Sequence, residues 1–217
     1  MAIGNVLRYA KTLDDKIQAH LHQLLCKIDQ TSDYKNGVLE GIKILNLYGY
    51  DIPKQEVSKT YIAKEEVKLK LALKNRSYSC LTKLQVIDDP IFYLFFQIQK
   101  YCLFSGNDKV MKVLTWKAIQ LATNKGMDRN LPAILCFHAT SLAKQGKVKT
   151  AQELGHVSIA MLDKFPQDIE MCALTKSLAY GTVFPLLQPF KSMVDPLLQT
   201  YNDLKLIGGL AEAMFGR

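Results

Sequence analysis

Long hydrophobic runs are missing from this sequence. None approaches the ~18–20 apolar residues that a helix needs to cross a bilayer, and the most apolar run, residues 91–96, has the size of a core segment. The N-terminal residues 1–5 carry no basic region that leads into an apolar stretch. We therefore expect no membrane span, no secretory signal and a cytoplasmic location.

Paired cysteines are also missing. The five cysteines stand at positions 26, 80, 102, 136 and 172. An odd number with wide spacing fits neither a disulfide framework nor a zinc site. We expect buried free thiols in a reducing compartment.

Arginine is scarce, although the net charge is +8. Only four of the 28 basic residues are arginine, and interfaces that read a nucleic-acid sequence depend on its bidentate contacts. The densest charged stretch, residues 64–70, mixes signs and predicts a solvated helix face. Nucleic acid is therefore the disfavoured partner. A basic helical-repeat module of a transcription regulator remains the alternative function.

Catalytic motifs are absent as well. Gly146-Lys147 is followed by Val148 rather than Ser or Thr, so it is not a phosphate-binding loop. No Asp-Phe-Gly or His-Arg-Asp triplet of a kinase occurs. His20 and His22 are two residues apart, which places them on different faces of a helix and makes a shared metal poor geometry. We expect no catalytic residue, no cofactor, no metal and no enzymatic activity.

Two features have both a functional and a structural interpretation. Asp88-Asp89 precedes Pro90, which favours a helix cap over a pair of catalytic carboxylates. Trp116 follows an aromatic-rich segment and could line a ligand groove, but core packing is the favoured interpretation.

Helical periodicity dominates what is present. Apolar residues at spacings of three and four predict one helix pair over residues 13–53 and a second over 130–166. Gly49 and Pro53 are stop signals for the first pair, and Pro166 closes the second. Residues 147–149 form a predicted turn, so short that its two helices must run antiparallel.

Small residues recur where the helices of a tetratricopeptide unit approach closely. A unit of ~34 residues contains two antiparallel helices, and both pairs fit this frame, with departures at Leu25 and Ile44 where small residues are usual. We therefore predict an all-α fold, a right-handed superhelical stack of antiparallel helix pairs in a tetratricopeptide-like solenoid. The repeat positions are Leu21, Ile28, Gly37, Leu45, Pro53, Ala139, Leu142, Gly146, Ala151, Ser158 and Pro166.

Three segments complete the predicted organisation. Residues 67–71 alternate like a strand, but no second alternating run could pair with them, so we predict a helix. Pro196 either kinks one long helix or starts a new one. Residues 210–215 are apolar rather than a polar cap. We expect one helical-repeat array over residues 1–217 that belongs to a longer array.

Three stretches carry a family resemblance: residues 41–53, the helix start at 88–90, and residues 189–198. In order and spacing they resemble the helical region of large multidomain sensor kinases, and the likeness covers nearly the whole chain. In that family the region follows an AAA-type ATPase module, often with a Ser/Thr kinase-like domain ahead of it. A sensory domain and a histidine kinase or other output commonly follow.

The resemblance implies a scaffold that couples signals between domains. Its partners would be a protein or the neighbouring ATPase and sensory or kinase output modules. The family's catalytic residues have no matching positions here, and none of the four histidines precedes an acidic residue, as a phosphoacceptor histidine usually does. We expect a concave surface, formed mainly by the first helix of each pair, to contact the partner. The oligomeric state stays open.

Overall fold

Helices make up all the regular secondary structure that the computed structural model describes, which covers residues 7–54, 56–186 and 188–206. The all-α prediction is confirmed. Residues 210–215, which we expected not to form a polar cap, lie outside these ranges. The α-helices are α1 Leu13–Thr31, α2 Tyr34–Leu47, α3 Lys59–Ala72, α4 Pro90–Ser105, α5 Asp108–Lys125, α6 Leu131–Lys144, α7 Val148–Met161, α8 Ile169–Leu178 and α9 Lys191–Leu206. Short helical segments of other types lie at Tyr78–Lys83, Leu162–Lys164, Ala179–Val183 and Phe184–Leu186.

Capping side chains fix where several helices begin. Asp33 accepts a hydrogen bond from the Asn36 backbone N–H at 3.1 Å at the start of α2. Asp89 accepts one from Ile91 at 3.1 Å, with Pro90 in the first turn of α4. These bonds satisfy backbone donors that the helix itself leaves unpaired. The structure thus confirms the cap interpretation of Asp88-Asp89.

Short turns place successive helices side by side. Two residues separate α1 from α2 and α4 from α5, and three separate α6 from α7, so the helices of each pair run antiparallel. The turn predicted at 147–149 is two residues too late, because the turn occupies 145–147 and Val148 already begins α7. Gly146 is left-handed with φ +74°, which lets the chain reverse earlier.

The prolines predicted to end the second helix of each pair lie several residues beyond the ends of those helices. In the first pair, α2 ends at Leu47 and the chain turns at Gly49, whose φ is +86°. Pro53 lies in the following loop, where the Asn46 side chain bonds both backbone groups of Ile52. In the second pair, Pro166 follows the short turn after α7.

Each later pair packs against the pair before it. The first helix of the second pair, α4, contacts α1 and α2. Likewise α6 contacts α4 and α5, and α8 contacts α6 and α7. The fourth pair is formed by α8 and α9, which contact each other. Packing therefore passes from one pair to the next along the chain.

One segment stands outside this order. Residues 59–89, here called the insert, separate the first pair from the second; the insert contains α3, so residues 67–71 are helical as predicted. Its helix α3 packs on α5, and its short turn Tyr78–Lys83 packs on α7. Its end is held by two backbone hydrogen bonds to Met127, at 2.8 and 2.9 Å. Here Gly126 has φ +134°, and a Cβ would lie 2.7 Å from the Gln85 carbonyl, so only glycine fits.

The middle helix α6 is surrounded by protein. Every residue from Leu131 to Ala143 is buried, because α4, α5, α7 and α8 all pack on it. A helix that is apolar on all sides is suited to such a position. Consequently α6 offers no exposed side chain over these residues to the concave surface that we expected the first helices to form.

The helix α9 resolves the open question about Pro196. The proline lies inside one helix, Lys191–Leu206, rather than at the start of a second. No helix in the described ranges is long and apolar enough to span a membrane.

Gly41 marks the closest approach of α2 to α4. A Cβ at this position would lie 2.7 Å from Cδ1 of Ile98 and closer still to its Cγ1. Overpacking of this kind costs about 1–3 kcal/mol, against a helix-propensity gain of about 1 kcal/mol. We therefore expect Gly41→Ala to lower the free energy of unfolding by about 1 kcal/mol in urea titrations.

A matched control is available in Gly181, where the nearest atom to an added Cβ would be 4.0 Å away and φ is not left-handed. Gly181→Ala should be neutral or slightly stabilising. The loss at Gly41 should shrink in an Ile98→Ala background. Equal effects at the two glycines would contradict the close approach.

Candidate functional site

A cleft of about 390 Å³ lies where the insert meets α5 and α7. Its walls combine apolar and aromatic side chains with carboxylates and cations. The lining residues are Glu66, Leu69, Lys70, Leu73, Asn75, Arg76, Ser77, Tyr78, Trp116 and Glu153. Three separate parts of the chain therefore build this cleft.

Trp116 of α5 lines the cleft while being only 4% exposed. The ammonium of Lys112, one turn earlier, lies 4.5 Å from the centroid of its ring, within the range of a cation–π interaction. Burial confirms the core-packing interpretation of Trp116, and its remaining edge also faces the cleft. The aromatic residues of α4 pack elsewhere, as Phe96 does against Phe137.

Two carboxylates that line the cleft come from different elements. Glu153 of α7 accepts a hydrogen bond at 3.1 Å from the backbone N–H of Tyr78, which ties the insert to the third pair. Glu66 of α3 forms an ion pair with Lys70 at 3.2 Å. Burial, followed by the charges of Glu153 and Glu66, raises the pKa of Tyr78 to about 12. Tyr78 is therefore neutral at physiological pH.

A buried ion pair holds the insert next to this cleft. Glu65 of α3 and Lys117 of α5 are 3.3 Å apart, with side chains 1% and 8% exposed, and Lys68 approaches Glu65 at 2.7 Å. Burial alone would raise the pKa of Glu65, but the bond from Lys68 and the charge of Lys117 hold it below its usual value. Burial also lowers the pKa of Lys117 despite its partner.

This pair corrects one prediction. Residues 64–70 were expected to be a solvated face, yet Glu65 is enclosed. The reason is tertiary: α3 turns Glu65, Leu69 and Leu73 toward α5, and Lys117 supplies a counter-charge there. Nothing in the sequence distinguished Lys117 from the other lysines of α5, at 109, 112 and 125.

The predicted repeat positions occupy the packed interior with three exceptions. Eight of them are buried: Leu21, Ile28, Gly37, Leu45, Ala139, Leu142, Ala151 and Ser158. Gly146 and Pro166 are exposed in turns, and Pro53 is half-buried. None of these positions lines the cleft, so the predicted repeat positions do not include the residues of this site.

Metal-binding chemistry finds no support in the described ranges. They contain no group of three or more His, Cys, Asp or Glu side chains arranged to hold a metal ion. His20 is half-buried and His22 is exposed, as expected for neighbours on different helix faces.

The thiols differ more than the sequence indicated. All five are free, but Cys26 is exposed, Cys80 and Cys172 are half-buried, and only Cys102 and Cys136 are buried. Burial raises the pKa of Cys136 to about 12, and thiolate is the reactive form. The expectation of uniformly buried thiols was wrong at Cys26.

We expect one thiol to react fast with a disulfide reagent such as DTNB under native conditions. Cys26→Ser should remove this fast phase, because Cys26 alone among the five is exposed rather than buried or half-buried. Cys136→Ser should leave it unchanged. A fast phase that survives in Cys26→Ser would contradict the arrangement of α1.

Comparisons with protein-family models, curated proteins and solved structures found no match to the chain. The resemblance to sensor-kinase helical regions therefore rests on the sequence stretches named above.

Proposed function

We propose that the chain is a non-catalytic scaffold for protein interaction and signal coupling, built as a right-handed, tetratricopeptide-like superhelical stack. The observation that carries this proposal is the order of helix contacts. Three times along the chain, the first helix of a pair packs on both helices of the preceding pair. Stacks of this kind owe their stability to nearest-neighbour interfaces.

The resemblance of the sequence to the helical region of sensor kinases supports a proposal about the larger protein. We propose that the scaffold belongs to a cytoplasmic multidomain ATPase or sensor-kinase signalling protein. The stretches that carry the resemblance include Gly41 at the contact of α2 with α4, Asp89 at the cap of α4, and Pro196 within α9. Of these, Gly41 lies between neighbouring pairs, where the absence of a side chain allows the close approach that a coupling element must control.

The cleft suggests how coupling would occur. Its walls come from α5 of the second pair, α7 of the third pair and the insert. A partner that binds there contacts both pairs at once, so it favours one relative arrangement of them. Binding then shifts the population of stack geometries by its differential affinity for each.

Purified protein tests the non-catalytic part of the proposal. We expect no ATP hydrolysis above buffer in the presence of Mg²⁺, and no filter retention of duplex or single-stranded DNA at low salt. ATP turnover by the pure chain would overturn the proposal. Binding that falls steeply with salt would instead favour the alternative, a basic helical-repeat module that binds nucleic acid.

Hydrogen exchange tests the stack. Because α6 contacts helices of three pairs, we expect its amides to be the most protected, with protection falling toward α1 and α9. Uniform protection from α1 to α9 would indicate one cooperative unit and contradict a nearest-neighbour stack.

A further inference from the structure

We propose that the outer face of α3 docks an acidic amphipathic segment of a partner protein. The α3 outer face consists of Lys64, Val67, Lys70 and Leu71 of the helix together with Lys74, which follows its end at Ala72. The inference rests on the proposed scaffold role, for which it names a class of partner.

Apolar exposure is the first observation. Val67 is 57% exposed and Leu71 is 69% exposed. They lie one turn apart on the face of α3 opposite Glu65, Leu69 and Leu73, which are buried. Nothing in the described ranges covers this pair of aliphatic side chains.

Charge is the second observation. Lys64 and Lys70 each stand three residues from Val67 on the helix, and Lys74 follows two residues after the helix ends at Ala72. All three lysines are exposed. Within the described residues, Lys64 and Lys74 form no ion pair, and Lys70 has only the half-exposed Glu66. Such surface pairs are weak, so all three cations are available to a partner.

These two features together define the occupant. A complementary surface needs apolar side chains at i and i+3 or i+4, flanked by carboxylates, which is an acidic amphipathic helix laid along α3. A lipid surface fits less well, because the face is one short helix with two aliphatic side chains and no aromatic residue. Nucleic acid fits less well because apolar side chains hold the centre of the face.

The position of the face connects it to the cleft. Lys70 belongs to both, and Arg76 lines the cleft just beyond the end of α3. A helical segment of about nine residues would match α3 from Lys64 to its end at Ala72, roughly 12 Å.

The test uses the full chain and a labelled 18-residue helical peptide with Leu at i, i+3, i+4 and i+7 and Glu on the flanking positions. A second peptide replaces every Glu by Lys. In fluorescence anisotropy at about 0.1 M salt, where charges are screened beyond ~10 Å, we expect the acidic peptide to bind at least tenfold more tightly. Equal binding of the two peptides, or no binding of the acidic one, would overturn the proposal.

Matched variants locate the surface. Val67→Ser/Leu71→Ser and Lys64→Gln/Lys70→Gln/Lys74→Gln should each weaken the acidic peptide at least tenfold. The controls Phe190→Ser/Leu198→Ser and Lys144→Gln/Lys149→Gln/Lys191→Gln change equally exposed side chains elsewhere and should leave binding unchanged. Equal losses in test and control variants would show non-specific attraction and overturn the proposal.

Further measurements distinguish other ligands of the α3 outer face, and they distinguish failure of this proposal from failure of the proposed scaffold role. If phosphatidylserine vesicles or duplex DNA bind, and lose binding in the α3 variants while the peptide does not, the face belongs to lipid or nucleic acid. If the acidic peptide fails to bind and the pure chain still neither hydrolyses ATP nor binds DNA, this surface is wrong and the proposed scaffold role stands.

Discussion

Replacing Glu65 by leucine is expected to lower the free energy of unfolding by about 3–5 kcal/mol, measured by urea titration. The substitution leaves Lys117 with its charge enclosed between α3 and α5, where the side chain is 8% exposed. Breaking one half of a buried pair is strongly destabilising, since the remaining charge has lost both water and its partner. If the insert detached from α5, Lys117 would regain contact with water. This detachment sets an upper limit to the loss of unfolding free energy.

The double variant Glu65→Leu/Lys117→Met should recover most of this loss and end within about 1 kcal/mol of the parent. Glu66→Leu is the matched control on the same helix, since its pair with Lys70 is exposed and such pairs contribute about 0–1 kcal/mol. A Glu65→Leu effect no larger than that of Glu66→Leu would contradict the enclosed pair. So would a double variant less stable than the single ones.

Lowering the pH from 7 to 5 is expected to cost about 2 kcal/mol of stability through His138 alone. This side chain of α6 is 3% exposed, and its Nδ1 is buried without a hydrogen-bond partner. Burial, together with the charges of Lys112 and Lys147, lowers the pKa of His138 from 6.5 to about 3. The folded protein therefore keeps His138 neutral through this pH range.

The direction of the change in stability with pH follows from the pH at which each state takes up a proton. Below pH 6.5 the unfolded chain binds a proton at this histidine, whereas the folded chain does so only near pH 3. The contribution of His138 is therefore complete above pH 6.5 and is lost progressively as the pH falls toward 3. At pH 5 the loss spans about 1.5 pH units at 1.36 kcal/mol each.

Comparison of variants separates the contribution of His138 to the pH dependence of stability from that of the carboxylates. The difference in unfolding free energy between pH 7 and pH 5 should be smaller by about 2 kcal/mol in His138→Gln than in the parent. His22→Gln, which changes an exposed histidine of α1, should show the parental difference. Identical pH dependence in all three proteins would mean that His138 takes up its proton while folded.

Local chemistry made much of the fold predictable. Asp89 before Pro90 marks the start of α4, and Gly126 marks the end of α5, because caps and breakers act within a few residues. The alternation at residues 67–71 was correctly assigned to a helix, since no partner strand existed.

The site was not predictable, because its contacts join residues far apart in the chain. The bond from Tyr78 to Glu153 spans 75 residues, and the pair of Glu65 with Lys117 spans 52. Contacts at such long separations leave no local pattern in the sequence. A mixed-charge run is interpreted as solvated unless it is known that α3 packs on α5. For the same reason, the exposure of the apolar Val67 and Leu71 could not be read from the sequence.

Chemical cross-linking of the protein in its own cells, followed by mass spectrometry, tests the scaffold role most directly. We expect cross-links from the exposed lysines Lys64 of α3 and Lys74 just beyond its end to a protein that carries an ATPase or kinase module. We expect these cross-links to persist after nuclease treatment. Cross-links that disappear with nuclease, or that join these lysines only to nucleic-acid-binding proteins, would contradict a protein-coupling scaffold.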